Sequence, residues 1–154
     1  MSTLLAIDPG LRTGWAYFQI WPGKEPFLDG AGVLQPEDGL GYATPDYVLI
    51  ENPRIYPNGK ANPEDILKLA RLVGRYEERF RKARAVHLVR PRDWKGTVDG
   101  DIMCARIEAA FTPEEKAVVA AYKGGYRHNM IDAIGMGKWA FRLYPPIRAL
   151  VKHL

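Results

Sequence analysis

The segment Tyr47-Val48-Leu49-Ile50-Glu51 (YVLIE) decides the fold expected for this chain. Its apolar residues follow one another without alternation, which is the pattern of a strand covered on both faces of a sheet. Downstream, Asn62 and Pro63 begin a helix that runs to about Lys82, and Ala85–Val89 is another apolar strand. Because a strand, a crossover helix and a second strand pair in parallel, the sequence predicts a covered parallel core around Tyr47–Glu51.

Three more strands are predicted upstream of this core, at Leu4–Ile7, Thr13–Ile20 and Gly30–Leu34. The turn-forming residues Asp8-Pro9-Gly10 separate the first two strands, which favours an antiparallel hairpin. Residues 35–46 are rich in proline and glycine and predict a loop. Antiparallel and parallel strands together give a mixed five-stranded sheet.

Helices are predicted to follow the strands and to cover both faces of the sheet. Asp101–Phe111 has helical character, and Thr112-Pro113-Glu114-Glu115 is a capping box that begins another helix. The last helix is expected from His128 to Leu143, with Pro145-Pro146 ending it, and it can return to the sheet. The fold class is therefore α/β, and the length suits one domain spanning residues 1–154.

Composition and charge narrow the function classes. A net charge of +4 and a pI near 9.2 favour a polyanionic partner such as nucleic acid. The single cysteine, Cys104, excludes an intramolecular disulfide, and its apolar surroundings predict a buried, inert thiol. No apolar run is long enough to cross a membrane and no secretory signal is present, so we expect a cytoplasmic protein.

Three carboxylates fall where such a sheet would present them. Asp8 ends the first strand, Glu51 ends the fourth, and Asp132 lies in the first turns of the last helix. If the first and fourth strands are neighbours, Asp8 and Glu51 project from one edge, and the helix can bring Asp132 to them. Clustered carboxylates repel unless a cation neutralises them, and their hard oxygens suit Mg²⁺ or Mn²⁺. Two such ions can clamp the attacking and leaving oxygens of a phosphodiester.

Simpler roles are open for two of these acids. Asp8, before Pro-Gly, also fits a turn residue, and Glu51, before Asn-Pro, also fits an ordinary strand-end acid. Asp132 differs because residues 130–137 around it form the most apolar helix of the chain. An unpaired buried acid is costly there, so Asp132 predicts a partner or a metal ion.

The three motifs resemble those of RuvC-type Holliday-junction resolvases, which belong to the RNase H-like nuclease superfamily. Leu5–Ala16 (LAIDPGLRTGWA) is similar to the first motif, Val48–Glu51 (VLIE) to the second, and His128–Gly135 (HNMIDAIG) to the last. The resemblance implies an RNase H-like fold and phosphodiester hydrolysis with two Mg²⁺ ions per active site, Mn²⁺ being an alternative. It also implies a homodimer that nicks four-way DNA junctions symmetrically. The stretch between Asp8 and Glu51 is short and loop-rich for the family, so a helix usually placed there is expected to be reduced or missing, which would alter dimerisation or junction preference. A short, phage-type member of the family is one interpretation of the resemblance.

The fourth ligand position departs from the family pattern. The family places Asp or His three residues before the final acid, and this chain has Asn129 there. His128 lies one residue earlier and shares a helix face with Asp132. Chemically His128 is the better ligand and can also shuttle a proton, whereas Asn129 is a poorer ligand or simply a helix cap. Both residues are candidates for the site.

Basic residues near these motifs predict contacts with the DNA backbone. They are Arg54 and Lys60 after Glu51, Arg92 and Lys95 in a segment that resembles the family's basic segment after the fifth strand, and Arg127 beside the last motif. Tyr56 lies where the family has an aromatic that stacks on an unpaired base, although a role in holding the loop is equally open.

The dimer interface implied by the resemblance lies on the helix from Pro63 to about Lys82. Its candidates are Leu67, Leu72 and Val73, although burial within one subunit explains them as well.

Three other functions remain open: a nuclease for other branched DNA or RNA–DNA hybrids, a non-catalytic junction-binding module, and an actin-like phosphotransferase. The last needs two such domains around a nucleotide cleft, and this chain has room for one.

Overall fold

A computed structural model describes residues 1–55 and 59–152 of the chain, and these residues include the predicted mixed sheet. Its strands are β1 (Ser2–Asp8), β2 (Thr13–Ile20), β3 (Phe27–Leu34), β4 (Tyr47–Glu51) and β5 (Ala85–Val89). They lie in the order β3-β2-β1-β4-β5. The β2 strand pairs antiparallel with β1 and β3, whereas β4 pairs parallel with β1 and β5. The fold class predicted from the sequence is therefore confirmed.

Six helices are described, and four of them correspond to predicted ones. They are α1 (Pro63–Arg79), α2 (Pro91–Lys95), α3 (Gly100–Ala109), α4 (Pro113–Ala121), α5 (Arg127–Leu143) and α6 (Pro145–Lys152). Asn62 caps α1 and a capping box begins α4, as the sequence predicted. Over residues 1–55 and 59–152, no helix combines the length and the apolar character needed to cross a membrane.

The α2 and α6 helices are absent from the sequence prediction. The α2 helix has five residues, which is too short to show helical periodicity. The predicted last helix ends at Leu143, before Pro145 and Pro146, as expected, and the two prolines also begin the unpredicted α6. Proline is tolerated in the first turn of a helix because the N–H groups there lack partners within the helix.

The two faces of the sheet are covered by different helices. Leu5, Ile7, Val48 and Ile50 pack with Leu72, Val73 and Tyr76 of α1, whereas Leu4, Ala6 and Leu49 pack with Met130, Ile131 and Ile134 of α5. Because successive side chains of a strand point to opposite faces, Asp8 shares the α5 face with Leu4 and Ala6. By the same alternation, Glu51 shares that face with Leu49.

Candidate active site

Asp8 and Glu51 lie side by side where the two central parallel strands end. Ile7 of β1 is the register partner of Ile50 of β4, so the next residue of each strand reaches the same edge of the sheet. Both carboxylates are on the face that α5 covers. The adjacency of the first and fourth strands, on which the predicted site depended, is thus present in the structure.

The start of α5 reaches this edge because position 14 has no side chain. Gly14 is the register partner of Asp8, and a Cβ atom added to it would overlap the carbonyl group of Asn129 and lie 2.7 Å from the amide nitrogen of Met130. Any larger residue would push α5 away from β2. The side-chain amide of Asn129 also donates to the carbonyl oxygen of Arg12 at 2.7 Å, which ties the helix to the first hairpin.

Lys95, the last residue of α2, lies between two of the carboxylates. Its Nζ atom is 3.7 Å from Oε2 of Glu51 and 3.7 Å from Oδ2 of Asp132, so these oxygens are within twice that distance of each other. The three side chains are only 13–22% exposed. The sequence predicted a DNA contact for Lys95, and in the structure its ammonium group pairs with the acids.

Two further side chains hold the acids, and sequence reasoning gave neither a role in the site. The indole Nε1 of buried Trp94 donates to Oε2 of Glu51 at 2.7 Å, and the thiol of Cys104 donates to Oδ1 of Asp132 at 3.7 Å. The prediction that Cys104 is buried is wrong, because the residue is only partly buried beside Asp132. The sequence signal for these contacts was the Trp94-Lys95 pair shortly after β5. It could not be interpreted because both residues reach the acids only through α2, which the sequence did not predict.

The electrostatics of the cluster favour a cation. Burial raises the pKa of Asp8 well above its usual range, and the negative charges of Glu51 and Asp132 raise it further. Burial also raises the pKa values of Glu51 and Asp132, and Lys95 opposes both shifts. Burial alone would lower the pKa of Lys95, but the surrounding carboxylates outweigh it and raise that pKa. One ammonium group therefore does not fully compensate three buried acids.

The donor set fits a divalent ion chemically, because carboxylate oxygens are the ligands that Mg²⁺ and Mn²⁺ take. In the structure, however, the carboxylates are not arranged around a metal position. The Lys95 ammonium group lies between Glu51 and Asp132, where a metal ion would otherwise neutralise them. Within residues 1–55 and 59–152, no three His, Cys, Asp or Glu side chains are grouped so that they could hold a metal ion. Metal binding by these acids therefore stays a prediction.

The candidates for the fourth ligand lie at the beginning of α5. His128 is exposed, and its charge is one of those that oppose the burial-driven rise in the pKa of Asp132. Asn129 is half-buried, and its amide is bonded to Arg12. The reading of Asn129 as the helix cap is wrong, because α5 begins one turn earlier and its N-cap is Tyr126.

The predicted DNA contacts other than Lys95 do not pair with the three acids in any ion pair between described residues. Arg54, Lys60, Arg92 and Arg127 are all exposed, and Arg127 forms two hydrogen bonds to Glu108, at 2.9 and 3.3 Å. Tyr56 lies outside the described residues. All of these DNA contacts stay predictions.

Comparison with solved structures identifies the class of fold as RNase H-like α/β. The chain is similar to Thermus thermophilus RuvC, with a TM-score of 0.53, 10% identity, and coverage of 92% of this chain and 96% of that one. It is also similar to T. thermophilus RuvC in complex with a Holliday junction substrate, with a TM-score of 0.59, 13% identity, and coverage of 94% and 97%. More particularly, then, the protein has a RuvC-like fold.

The yeast mitochondrial Holliday junction resolvase Ydc2 was also found, with a TM-score of 0.49, 12% identity, and coverage of 98% of this chain and 84% of that one. No family profile and no curated protein sequence matches the chain. Its relation to RuvC is therefore a matter of fold and of the three short motifs.

Proposed function

We propose that the protein is a Mg²⁺-dependent endonuclease that nicks four-way DNA junctions symmetrically as a homodimer. The observation that carries this proposal is the placement of Asp8, Glu51 and Asp132 at one edge of a sheet with the RuvC-like fold. A similar solved structure is of RuvC in complex with a Holliday junction substrate. The net charge of +4 agrees with a polyanionic substrate.

Asp8, Glu51 and Asp132 would hold the divalent ions, two per site, with His128 or Asn129 as a further ligand. The bound metal would supply Lewis acidity toward the oxygens of the scissile phosphate. Trp94 restrains Glu51 by donating to one of its oxygens. The Lys95 ammonium group, which pairs with Glu51 and Asp132 in the structure, would bind a phosphate oxygen of the substrate instead. His128 is exposed beside Asp132 and can exchange a proton with a reacting oxygen.

The test is cleavage of a labelled panel in Mg²⁺, containing four-way junctions, forks, flaps, linear duplex and RNA–DNA hybrid. The proposal predicts paired nicks at symmetric positions on the junction and little cleavage of the other substrates. Preferential cutting of forks or flaps would change the proposed substrate from a four-way junction to those structures, and the proposed metal-dependent hydrolysis would stand. Equal cutting of the hybrid would overturn the assignment as a resolvase.

A binding-only module is the second candidate, favoured by the ion pairs of Lys95 within the site and by the neutral Asn129. The two candidates differ in whether the wild type cuts. If Asp8→Asn binds junctions like the wild type but has lost a Mg²⁺-dependent cleavage that the wild type performs, the binding-only function is excluded. If neither protein cuts while both bind, the endonuclease is excluded.

The proposed dimer would use the first half of α1. Of the three leucine and valine candidates on this helix, Leu72 and Val73 are buried within the subunit, whereas Leu67 is 55% exposed. Leu67→Glu should therefore convert a dimer to a monomer in light scattering and abolish paired nicking. Ile102→Glu, at a comparably exposed site on α3, is the matched control and should stay dimeric. A monomeric wild type at micromolar concentration would overturn the dimer.

A further inference from the structure

A groove of about 750 Å³ is lined by residues that follow Asp8 in sequence and by residues at the beginning of α5. Its walls are residues 10–12 after β1, residues 35–37 after β3, Arg75 of α1, and the beginning of α5. Gly10 lies two residues after Asp8, and His128 lies about one helical turn before Asp132. The groove is therefore lined by residues that lie within two positions of Asp8 and within one helical turn of Asp132.

Tyr126 forms an exposed aromatic wall of this groove. Its side chain is 55% exposed, so burial in the core does not account for it. Its φ angle is +59°, and it is the one non-glycine residue with positive φ in the part of the chain that the structure describes. Glycine or asparagine would adopt this conformation more readily. The turn itself therefore gives no reason for a tyrosine, and the ring calls for another explanation.

A guanidinium group and an imidazole ring lie beside the Tyr126 ring. The guanidinium carbon of Arg12 lies over the Tyr126 ring, 5.6 Å from its centroid, and the centroid of the His128 ring is 6.4 Å away. Arg75 also lines the groove. The carboxylate among the lining residues is that of Glu37. Two arginines against one glutamate make the groove net positive. A nucleotide matches these features, because its base offers a π face and its phosphate a negative charge.

We infer that Tyr126 and Arg12 bind one nucleotide of the DNA strand that enters the active site. The base takes the place of the Arg12 guanidinium group over the Tyr126 ring, and that guanidinium group turns to contact the neighbouring phosphate. Only an unpaired base can present its face to the ring, so this site favours a strand that is splayed at a branch. The inference rests on the proposed function and adds a determinant of substrate selection to it.

The experiment measures DNA binding apart from cleavage, by anisotropy of a labelled four-way junction and of a single strand in EDTA. Tyr126→Asn removes the ring and keeps a residue that suits positive φ, whereas Tyr126→Phe keeps the ring. Loss of one base–aromatic stacking contact typically weakens DNA binding about fivefold or more. We expect that loss of affinity for Tyr126→Asn on both DNAs. Tyr126→Phe should bind within about twofold of the wild type, as a neutral surface change does.

Trp21→Leu is the matched control. Trp21 is 44% exposed and follows Ile20, which pairs with Ser2 at the opposite end of the sheet from Asp8. This variant should also bind within about twofold of the wild type. A 2-aminopurine base beside the cleavage position should be quenched by the wild type and by Tyr126→Phe, but not by Tyr126→Asn. Thermal melting, with Tyr126→Gly as a second ring-deleted variant, shows that any loss of binding is not a loss of fold.

Normal affinity and normal 2-aminopurine quenching in folded Tyr126→Asn would overturn the inference and leave the proposed function intact. Equal weakening by Tyr126→Asn and Trp21→Leu would also overturn it. A wild type that binds no branched DNA would overturn the proposed function itself.

Discussion

The two faces of the sheet use the same strands for different purposes. On the α1 face, buried apolar side chains of β1 and β4 meet Leu72, Val73 and Tyr76, and the Tyr76 hydroxyl donates to Thr13 at 2.7 Å. On the α5 face, the apolar pattern ends at Asp8 and Glu51, beside Asp132 and Lys95. The first face contributes stability, whereas the second carries acids whose pKa values are raised chiefly by burial, against the opposing charge of Lys95.

Asp8→Asn should produce the largest effect and should separate the two faces. We expect Mg²⁺-dependent cleavage to fall at least about a hundredfold, as when one preorganised electrostatic group of an active site is lost. The measurement is single-turnover cleavage at saturating enzyme. Leu72→Ala is the control on the α1 face. It should lose about 2–5 kcal/mol of stability and keep its cleavage rate at temperatures where it is folded. Comparable cleavage by Asp8→Asn and wild type would remove Asp8 from the site.

Substitution of one glycine on each face tests the difference between the α5 and α1 faces through packing alone. Gly14→Ala should destabilise the protein by about 1–3 kcal/mol, because the added Cβ meets the backbone of Asn129 and Met130, which no rotamer change can relieve. Gly74→Ala, exposed on α1 with nothing within 4 Å of the added Cβ, should stabilise by about 0.5–1 kcal/mol. Urea unfolding measures both changes. Equal effects would mean that α5 does not lie on β2 as described.

Lys95→Met tests whether the ammonium group acts as the internal cation of the α5 face. In EDTA we expect a loss of about 1–3 kcal/mol, between the values for exposed and fully buried ion pairs, because the Lys95 side chain is 22% exposed. Added Mg²⁺ should then raise the melting temperature of the variant more than that of the wild type, since no ammonium competes for the carboxylates. An identical response to Mg²⁺ in both proteins would contradict this role.

The pH dependence of the free energy of unfolding should also reflect the buried acids of the α5 face. A carboxyl group whose folded pKa is raised contributes stability below its ordinary pKa, here 3.8, and that contribution is lost as pH rises through the folded value. In EDTA, the contribution of Asp8 should therefore decline as pH rises from about 4 toward neutrality. Melting curves of Asp8→Asn should show a shallower decline than those of the wild type. A steeper decline in the variant would contradict the raised pKa.

Much of this architecture could be predicted because it depends on local patterns. The apolar runs at Tyr47–Glu51 and Ala85–Val89 fixed the parallel core, and the Asn62 and Thr112 caps fixed two helix starts. The placement of Asp8 and Glu51 at one edge followed from the ends of their strands. The roles of these acids are not fixed by position alone and stay predictions.

The remainder depended on contacts between residues far apart in sequence. Trp94 and Lys95 reach Glu51 across 43 and 44 positions, through a helix too short to have a periodic signature. Tyr126 adopts a left-handed backbone conformation that its residue type does not indicate. Sequence patterns describe which residues can be buried, but not which partner a polar side chain finds after folding.

The smallest expected effect concerns Cys104, whose thiol lies 3.7 Å from Asp132. Burial and the Asp132 charge raise the pKa of this thiol to about 11, from an ordinary value of 9.0. At neutral pH its thiolate fraction is therefore about a hundredfold below that of an ordinary cysteine, and alkylation by iodoacetamide should be correspondingly slow. Asp132→Asn should accelerate alkylation in the folded protein, because it removes a negative charge that opposes the thiolate. Leu67→Glu, which alters α1 instead, should leave the rate unchanged, and mass spectrometry of the intact protein measures all three rates. Equal rates in Asp132→Asn and the wild type would show that the Asp132 charge does not control this thiol.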